Sequence, residues 1–307
     1  MERTPSTDTS RLAKTLAGRW LDVRRRTSAR LWRALEIRRR HYLDQTDLGM
    51  SERVLDIVTL LAPKDLPVFR CVMPMARAQL LHPVGRHYVI APDDADIRAA
   101  CASVNTVFVD EATVFGSDYP SVRSRVAAKV SQPGWVLQQL LKLGADRIAD
   151  HNDFLVLDAD TCFVTPARFH WDGAWLLDYN RDFQRSYDAF AARLLGWGAI
   201  DPQSFVCHYM VMNRQRLREL RARIEAVFER PWVDAIIDHL DPGQPRNFSE
   251  YQLYANFLLA EHPAAYRKGF AFNVACEAED RSPEAIERAC LHLRGQAKSA
   301  SFHLPAP

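Results

Sequence analysis

No run of apolar residues in this 307-residue chain approaches the roughly 18 that a membrane-spanning helix needs. The opening residues, MERTPSTDTS, are polar, and the apolar core of a secretory signal is missing from the N-terminus. A cytoplasmic protein is therefore expected. Cysteine is sparse: Cys71, Cys101, Cys162, Cys207, Cys276 and Cys290 are scattered, with no C-x-x-C and no metal-finger spacing. In so large a chain they read as buried thiols in a reducing compartment. Charge of one sign is lacking too, since 40 Lys and Arg against 38 Asp and Glu leave a net +2. That balance says little, because the charge is unevenly placed. Glycine is absent from VLDIVTLLAPKD, which argues against the Gly-rich G-x-G-x-R opening of nucleotidylyltransferases.

What is present begins with a basic stretch. Between Arg11 and Arg40 the only acids are Asp22 and Glu36. Leu12, Leu16, Trp20 and Val23 fall on one helical face, and Leu31 with Leu35 continues in a second helix. Residues 1–52 are read as a basic helical arm. Such an arm either lies on an anionic membrane surface, making the protein peripheral on its inner face, or packs its apolar side on the main domain. No nucleic acid is expected, because no reader motif accompanies the charge.

Residues 53–307 are read as one α/β domain. Val54–Leu61, His87–Pro92, Thr106–Asp110 and Phe154–Leu157 read as strands, with helical segments around Val68–Leu81 and Gly134–Asp146. The alternation predicts a parallel sheet, and ligands of such sheets bind at the carboxyl ends of the strands. Thr59 to Ala62, Asp93 with Asp94, Asp110 with Glu111, and Asp158 with Asp160 then share one rim. Past Asp160, Ala174–Asn180 and Ser204–Asn213 read as strands, the second feeding a helix over Arg214–Phe228. A further helix is expected in NFSEYQLYANFLL and a short strand in SASFHLP.

The stretch DFLVLDADTCFVTP carries the chemistry. Four apolar residues, Phe154 to Leu157, run into Asp158 and Asp160, and an ionised carboxylate is almost never buried unpaired. Two carboxylates at i and i+2 after a strand converge on one cation if the chain bends there. Mg²⁺ and Mn²⁺ take carboxylate oxygen and share coordination with substrate phosphate. The competing reading makes them turn carboxylates capping local N–H groups.

FLVLDADTCFVTP resembles the D-x-D segment of GT-A-type nucleotide-sugar glycosyltransferases. Together with HYMVMNRQRLREL and FSEYQLYANFLL, the run Pro133–Pro166 resembles a poorly characterised bacterial family of that superfamily. The resemblance implies a GT-A-like, Rossmann-type mixed sheet flanked by helices, with a donor half over residues 53–166 and an acceptor half over 167–307. It implies a metal-dependent glycosyltransferase that moves a sugar from a nucleoside-diphosphate sugar, a UDP-sugar foremost, to a hydroxyl of a glycan or glycolipid acceptor. Mn²⁺ or Mg²⁺ would be the cofactor, held on Asp158 and Asp160, with Asp158 also acting through the donor.

The other site residues carry paired readings. Gln138 and Lys142 share a helix face at i, i+4; the resemblance points that face at the donor, with Lys142 offsetting phosphate charge, while the plain reading leaves it solvated. Thr59 is placed among the donor-binding residues of the rim. Asp93 would accept from the donor's base or ribose, or serve with Asp94 as a helix cap. Glu250 follows Ser249, read as an N-cap with Gln252 completing a capping box. It aligns with the carboxylate that deprotonates the acceptor in inverting enzymes, although Ser249 stands where that motif has an acid; inversion is therefore favoured. His303 is expected as a further metal ligand and His208 as an acceptor contact. Two other functions compete. A haloacid-dehalogenase-like phosphohydrolase would put a threonine four residues after the first aspartate, where this chain has Cys162. A non-catalytic membrane- or partner-binding protein would use only the arm.

Overall fold

The computed structural model describes residues 48–180, 184–198, 201, 203–244, 246–276 and 281–303. Most of the expected basic arm, residues 1–47, lies outside the described residues. The described chain meets the main body at once: Arg168 donates to the Leu48 carbonyl, and the Ser51 N–H donates to the Leu81 carbonyl at 2.8 Å. Among the described residues no helix is long and apolar enough to cross a membrane.

In chain order the first half runs β1 (Leu55–Leu60), α1 (Leu66–Ala78), β2 (Val84–Ala91), α2 (Ala95–Ser103), β3 (Val107–Asp110), α3 (Ala112–Phe115), α4 (Tyr119–Lys129), α5 (Pro133–Leu143), β4 (Asp153–Leu157) and β5 (Thr161–Phe163). The second half runs β6 (His170–Trp171), β7 (Ala174–Tyr179), α6 (Arg185–Leu195), β8 (Tyr209–Asn213), α7 (Arg214–Phe228), α8 (Trp232–Asp238), α9 (Glu250–Glu261), β9 (Tyr266–Phe270), β10 (Asn273–Ala275), α10 (Pro283–Leu293) and β11 (Ser299–Ser301).

The main sheet has the order β3-β2-β1-β4-β8. Its first four strands are parallel and β8 lies antiparallel to β4, Leu155 facing Val211. Alternation of side chains along each strand feeds two cores. Val58, Ile90, Val156 and Met212 pack towards α4–α9, whereas Ile57, Val89, Leu155 and Val211 pack towards α1, α2 and α10. Apolar residues on both faces explain why β1 and β4 read as continuous hydrophobic runs. The fold is the mixed, parallel-dominated α/β sheet that the sequence predicts.

Two polar residues inside β1 are answered locally. Asp56 accepts from the backbone N–H groups of Arg86, Asp150 and His151, each at 2.8 Å. Burial acts to raise its pKa, but these donors hold it below the usual carboxylate range. Thr59 meets the His87 ring nitrogen at 3.0 Å and donates to Met73 at 3.7 Å.

Beyond β4 the chain turns sharply, the Thr161 N–H donating to the Asp158 carbonyl at 3.1 Å. β5 thereby leaves the main sheet and joins a small one, β10-β11-β5. All six cysteines are free thiols; Cys71 and Cys276 are only half-buried, which corrects the expectation that all six are enclosed.

Candidate functional site

The Asp158–Asp160 turn stands at the carboxyl end of β4, beside the central strand β1. The turn is fixed from two sides. The Asp158 N–H donates to the His208 carbonyl, and the Asp160 carbonyl accepts from the Phe302 N–H, both at 2.9 Å. β8 therefore delivers His208, and β11 delivers His303, to the same turn. His208 takes a left-handed backbone conformation, φ +66°, which is uncommon for a side chain other than glycine. That strained geometry is where its ring meets Asp158.

The site has a closed floor and an open edge. In the floor, the buried ammonium of Lys142 lies 2.7 Å from Asp158 Oδ1 and 2.7 Å from Glu250 Oε1. The contact with Glu250 is ionic, without hydrogen-bond geometry. Tyr251 donates its hydroxyl to Asp158 Oδ1 at 3.1 Å, and the Lys142 ammonium stands 4.5 Å from the centre of its ring. At the edge, His208 Nδ1 faces Asp158 Oδ2 at 3.2 Å and His303 Nδ1 faces Asp160 Oδ2 at 2.8 Å. The two imidazoles lie 4.8 Å apart. Thr161 braces the turn, donating to Asp160 Oδ1 at 3.1 Å.

The electrostatics follow from this layering. Burial acts to raise the Asp158 pKa, but Lys142 and then His208 outweigh it and hold the carboxyl well below its usual range. Burial likewise disfavours a charged Lys142, and Asp158 with Glu250 reverses that, so the ammonium is kept. Glu250 goes the other way, its pKa raised by burial against the opposing pull of Lys142. The Asp160 hydrogen bond raises the His303 pKa despite burial.

The sequence-predicted residues divide sharply. Lys142, Asp158, Asp160, His208, Glu250 and His303 converge on one turn. Gln138 lies one turn of α5 before Lys142 and is half-buried. Thr59 does not open onto the rim: it is fully enclosed with its hydroxyl committed to His87 and Met73. Asp93 is exposed and ion-paired to Arg98 at 2.6 Å, while Asp94 caps α2 by accepting from Asp96 and Ile97. The helix-cap reading describes Asp94, while Asp93 is engaged by Arg98.

Three expectations about Lys142, Glu250 and the start of α9 are corrected. Lys142 is not on a solvated face; it is 4% exposed. Glu250 is not at the surface: it has no exposed area at all and stands 2.7 Å from Lys142. The capping box does not form: Ser249 makes no cap bond. The Gln252 amide instead ties down the preceding loop, accepting from the Phe205 N–H at 2.9 Å and donating to the Gln203 carbonyl at 3.1 Å.

Two neighbours escaped the sequence reading. Tyr251 sits inside an apolar-looking helix and gives no signal of a polar task. Asp65, in the APKD segment just past β1, has its carboxyl pKa raised to about 6 by burial, with Asp160 and Asp158 adding to the shift against Lys64. Its place on the strand-end rim was the available clue.

Among the described residues, no three His, Cys, Asp or Glu side chains converge as a ready-made metal cage. Mg²⁺ and Mn²⁺ do not need one, because one or two carboxylates and substrate phosphates commonly complete their coordination. Asp160 and His303 offer a carboxylate oxygen and an imidazole nitrogen side by side, donor types that Mn²⁺ accepts. The residues present therefore fit such an ion. Asp158 is otherwise engaged, with Lys142 and Tyr251 on one oxygen and His208 on the other.

An open parallel sheet with an acid–imidazole cluster at its strand ends defines the class: an α/β protein with a rim site. Residues 75–282 match the model of the family of unknown function DUF6492, and the chain belongs to that family. No curated protein matches it. Among solved structures, apo mouse xyloside xylosyltransferase 1 is 14% identical, covering 83% of this chain and 100% of its own, with a TM-score of 0.46. The galactosyltransferase LgtC, in complex with donor and acceptor sugar analogs, is 13% identical over 82% of this chain and 88% of its own, with a TM-score of 0.45. The apo bifunctional glycosyltransferase WbbM is 10% identical over 84% of this chain and 48% of its own, with a TM-score of 0.43. Likenesses this distant assign no residue role, substrate or cofactor to the chain.

Proposed function

We propose that the protein is a metal-assisted glycosyltransferase that moves a sugar from a nucleoside-diphosphate sugar to a hydroxyl acceptor. The observation that carries the reading is the meeting of Asp160 and His303 at 2.8 Å, beside an aspartate whose charge a buried lysine already balances. The D-x-D segment supports it from the sequence side. Asp160 and His303 would hold Mn²⁺ or Mg²⁺; when bound, the ion neutralises the diphosphate as it leaves.

The chain's own residues have separate tasks in this reading. Lys142 keeps Asp158 ionised and aligned, and Asp158 orients His208 at the edge, where donor and acceptor meet. Such work is positioning and electrostatic preorganisation. Glu250 acts through Lys142 as a positioning residue, so the inverting base expected there is not on the acceptor side. A UDP-sugar donor, a glycan or glycolipid acceptor and a peripheral cytoplasmic location belong to the same proposal, with the basic residues 11–40 as the membrane contact.

A donor screen by thermal shift tests it, using UDP-, GDP-, ADP- and CMP-sugars with and without Mn²⁺. Stabilisation by one donor that needs Mn²⁺ and vanishes in Asp160→Ala is the expected result. No response to any donor or metal would refute it.

A further inference from the structure

Cys162 and Cys290 are 128 residues apart in sequence, yet their sulfurs lie 3.2 Å apart, one thiol donating to the other. Cys162 is fully enclosed in the middle of β5, opposite Ala300 of β11, and Cys290 is 5% exposed near the end of α10. The transfer chemistry proposed above uses neither. Packing alone does not call for two sulfurs from separate elements to meet face to face, since a thiol in a core behaves as a small apolar group.

We propose that Cys162 and Cys290 form a reversible oxidation site, a dithiol that a hydroperoxide converts into a disulfide. Closure brings the sulfurs from 3.2 Å to the bonded distance of about 2.0 Å. Cys290 reacts first, because it is the less enclosed of the two, 5% exposed against none, and the contact with Cys162 lowers its pKa. Its sulfur takes one oxygen from the hydroperoxide as the O–O bond breaks and an alcohol (water, for hydrogen peroxide) leaves. The product is a sulfenic acid. The Cys162 sulfur then attacks that sulfur, the S–S bond forms, and the hydroxyl departs as water with the Cys162 proton. Two electrons pass from the thiols to the peroxide, and a dithiol reductant returns them.

The bond would fasten α10 to β5. β5 pairs with β11, the strand that leads into His303. The site itself stands whatever reaction the rim performs.

The test treats the full chain with hydrogen peroxide, alkylates remaining thiols, and maps disulfide-linked peptides before and after dithiothreitol. One disulfide joining Cys162 to Cys290 is expected, two hydrogens lighter than the reduced protein and fully reversed by the reductant. Cys290→Ala abolishes it and Cys276→Ala leaves it. The cross-linked form melts above the reduced one, because the bond restricts the unfolded chain. A disulfide to Cys71 or Cys276 instead, alkylation of both Cys162 and Cys290 after peroxide, or oxidation that stops at a sulfinic acid would overturn the proposal. Equal melting of the cross-linked and reduced forms would overturn the fastening. Mapping on the unsubstituted chain decides the matter even if Cys290→Ala does not fold.

Discussion

Lys142 and Glu250 face each other at 2.7 Å inside the protein, the lysine side chain 6% exposed and the glutamate not at all. Neither charge would persist there alone, because an isolated ion in a low-dielectric interior neutralises itself. Asp158 adds a second carboxylate to the same ammonium. The floor of the site thus holds two acids against one base.

Removing the shared cation should cost more than removing one of its acids. Lys142→Met is expected to lower the unfolding free energy by about 3–5 kcal/mol, the usual loss when one partner of a buried ion pair is deleted. Glu250→Gln should cost less, since Lys142 keeps Asp158. Urea titration of both variants checks the order; a larger loss in Glu250→Gln would contradict the arrangement described.

Cation binding should depend on the two ends of the Asp160–His303 contact. His303→Ala is expected to weaken Mn²⁺ binding by at least about tenfold, the loss that even an outer partner's removal brings. His303 is 42% exposed in its side chain, so the metal-free melting temperature should barely change. Calorimetric titration with Mn²⁺ alone is the measurement, and unchanged affinity would remove His303 from the site.

Stability should fall on mild acidification. Burial holds His82 and His87 neutral, lowering their pKa values to about 4 and about 3, with Arg77 adding to the effect on His87. Between those values and the unfolded value near 6.5 the unfolded chain binds more protons. Their stabilising contribution is therefore complete above about pH 6.5 and is lost as the pH falls, by about 1.4 kcal/mol per unit for each histidine. His303 and Asp65, with their pKa values raised, work in the opposite sense and offset part of this loss. Urea-unfolding free energies between about pH 7.5 and about pH 5 should drop by more than 1 kcal/mol; a flat profile would contradict the assignment.

Gly85 should resist substitution. A Cβ there would stand 2.7 Å from the His151 ring and closer still to Asp56 Oδ1. Asp56 cannot yield freely, because three backbone N–H groups hold it. Gly85→Ala is expected to cost about 1–3 kcal/mol, the range for overpacking a filled site. Unchanged thermal unfolding would show that the carboxylate moves aside.

Much of the sheet was legible because its strands are buried on both faces and so read as unbroken apolar runs; LDIVTL and DFLVL are examples. The rim followed from strand order, and Asp158 with Asp160 from the abrupt change of polarity after Leu157. Burial on the far side of the site was not legible. Lys142 read as facing donor or solvent and Glu250 as an acceptor base or a helix-start acid, since helical spacing gives a face but not what covers it. Ser249 and Gln252 match a capping box in spacing, yet the Phe205 N–H and Gln203 carbonyl claim the glutamine. The meeting of Cys162 with Cys290 leaves no mark in the sequence, because sulfur contacts across 128 residues have no period.

The partners at the open edge come from the middle and the far end of the chain, 143 residues apart. Anything that bridges Asp160 and His303 therefore acts as a clasp on β11. Ligand binding of that kind adds its free energy to the attached state, making β11 harder to peel away from β5. Resistance of residues 299–303 to protease would then report occupancy of the rim, and a nascent chain could gain that protection only after β11 had docked.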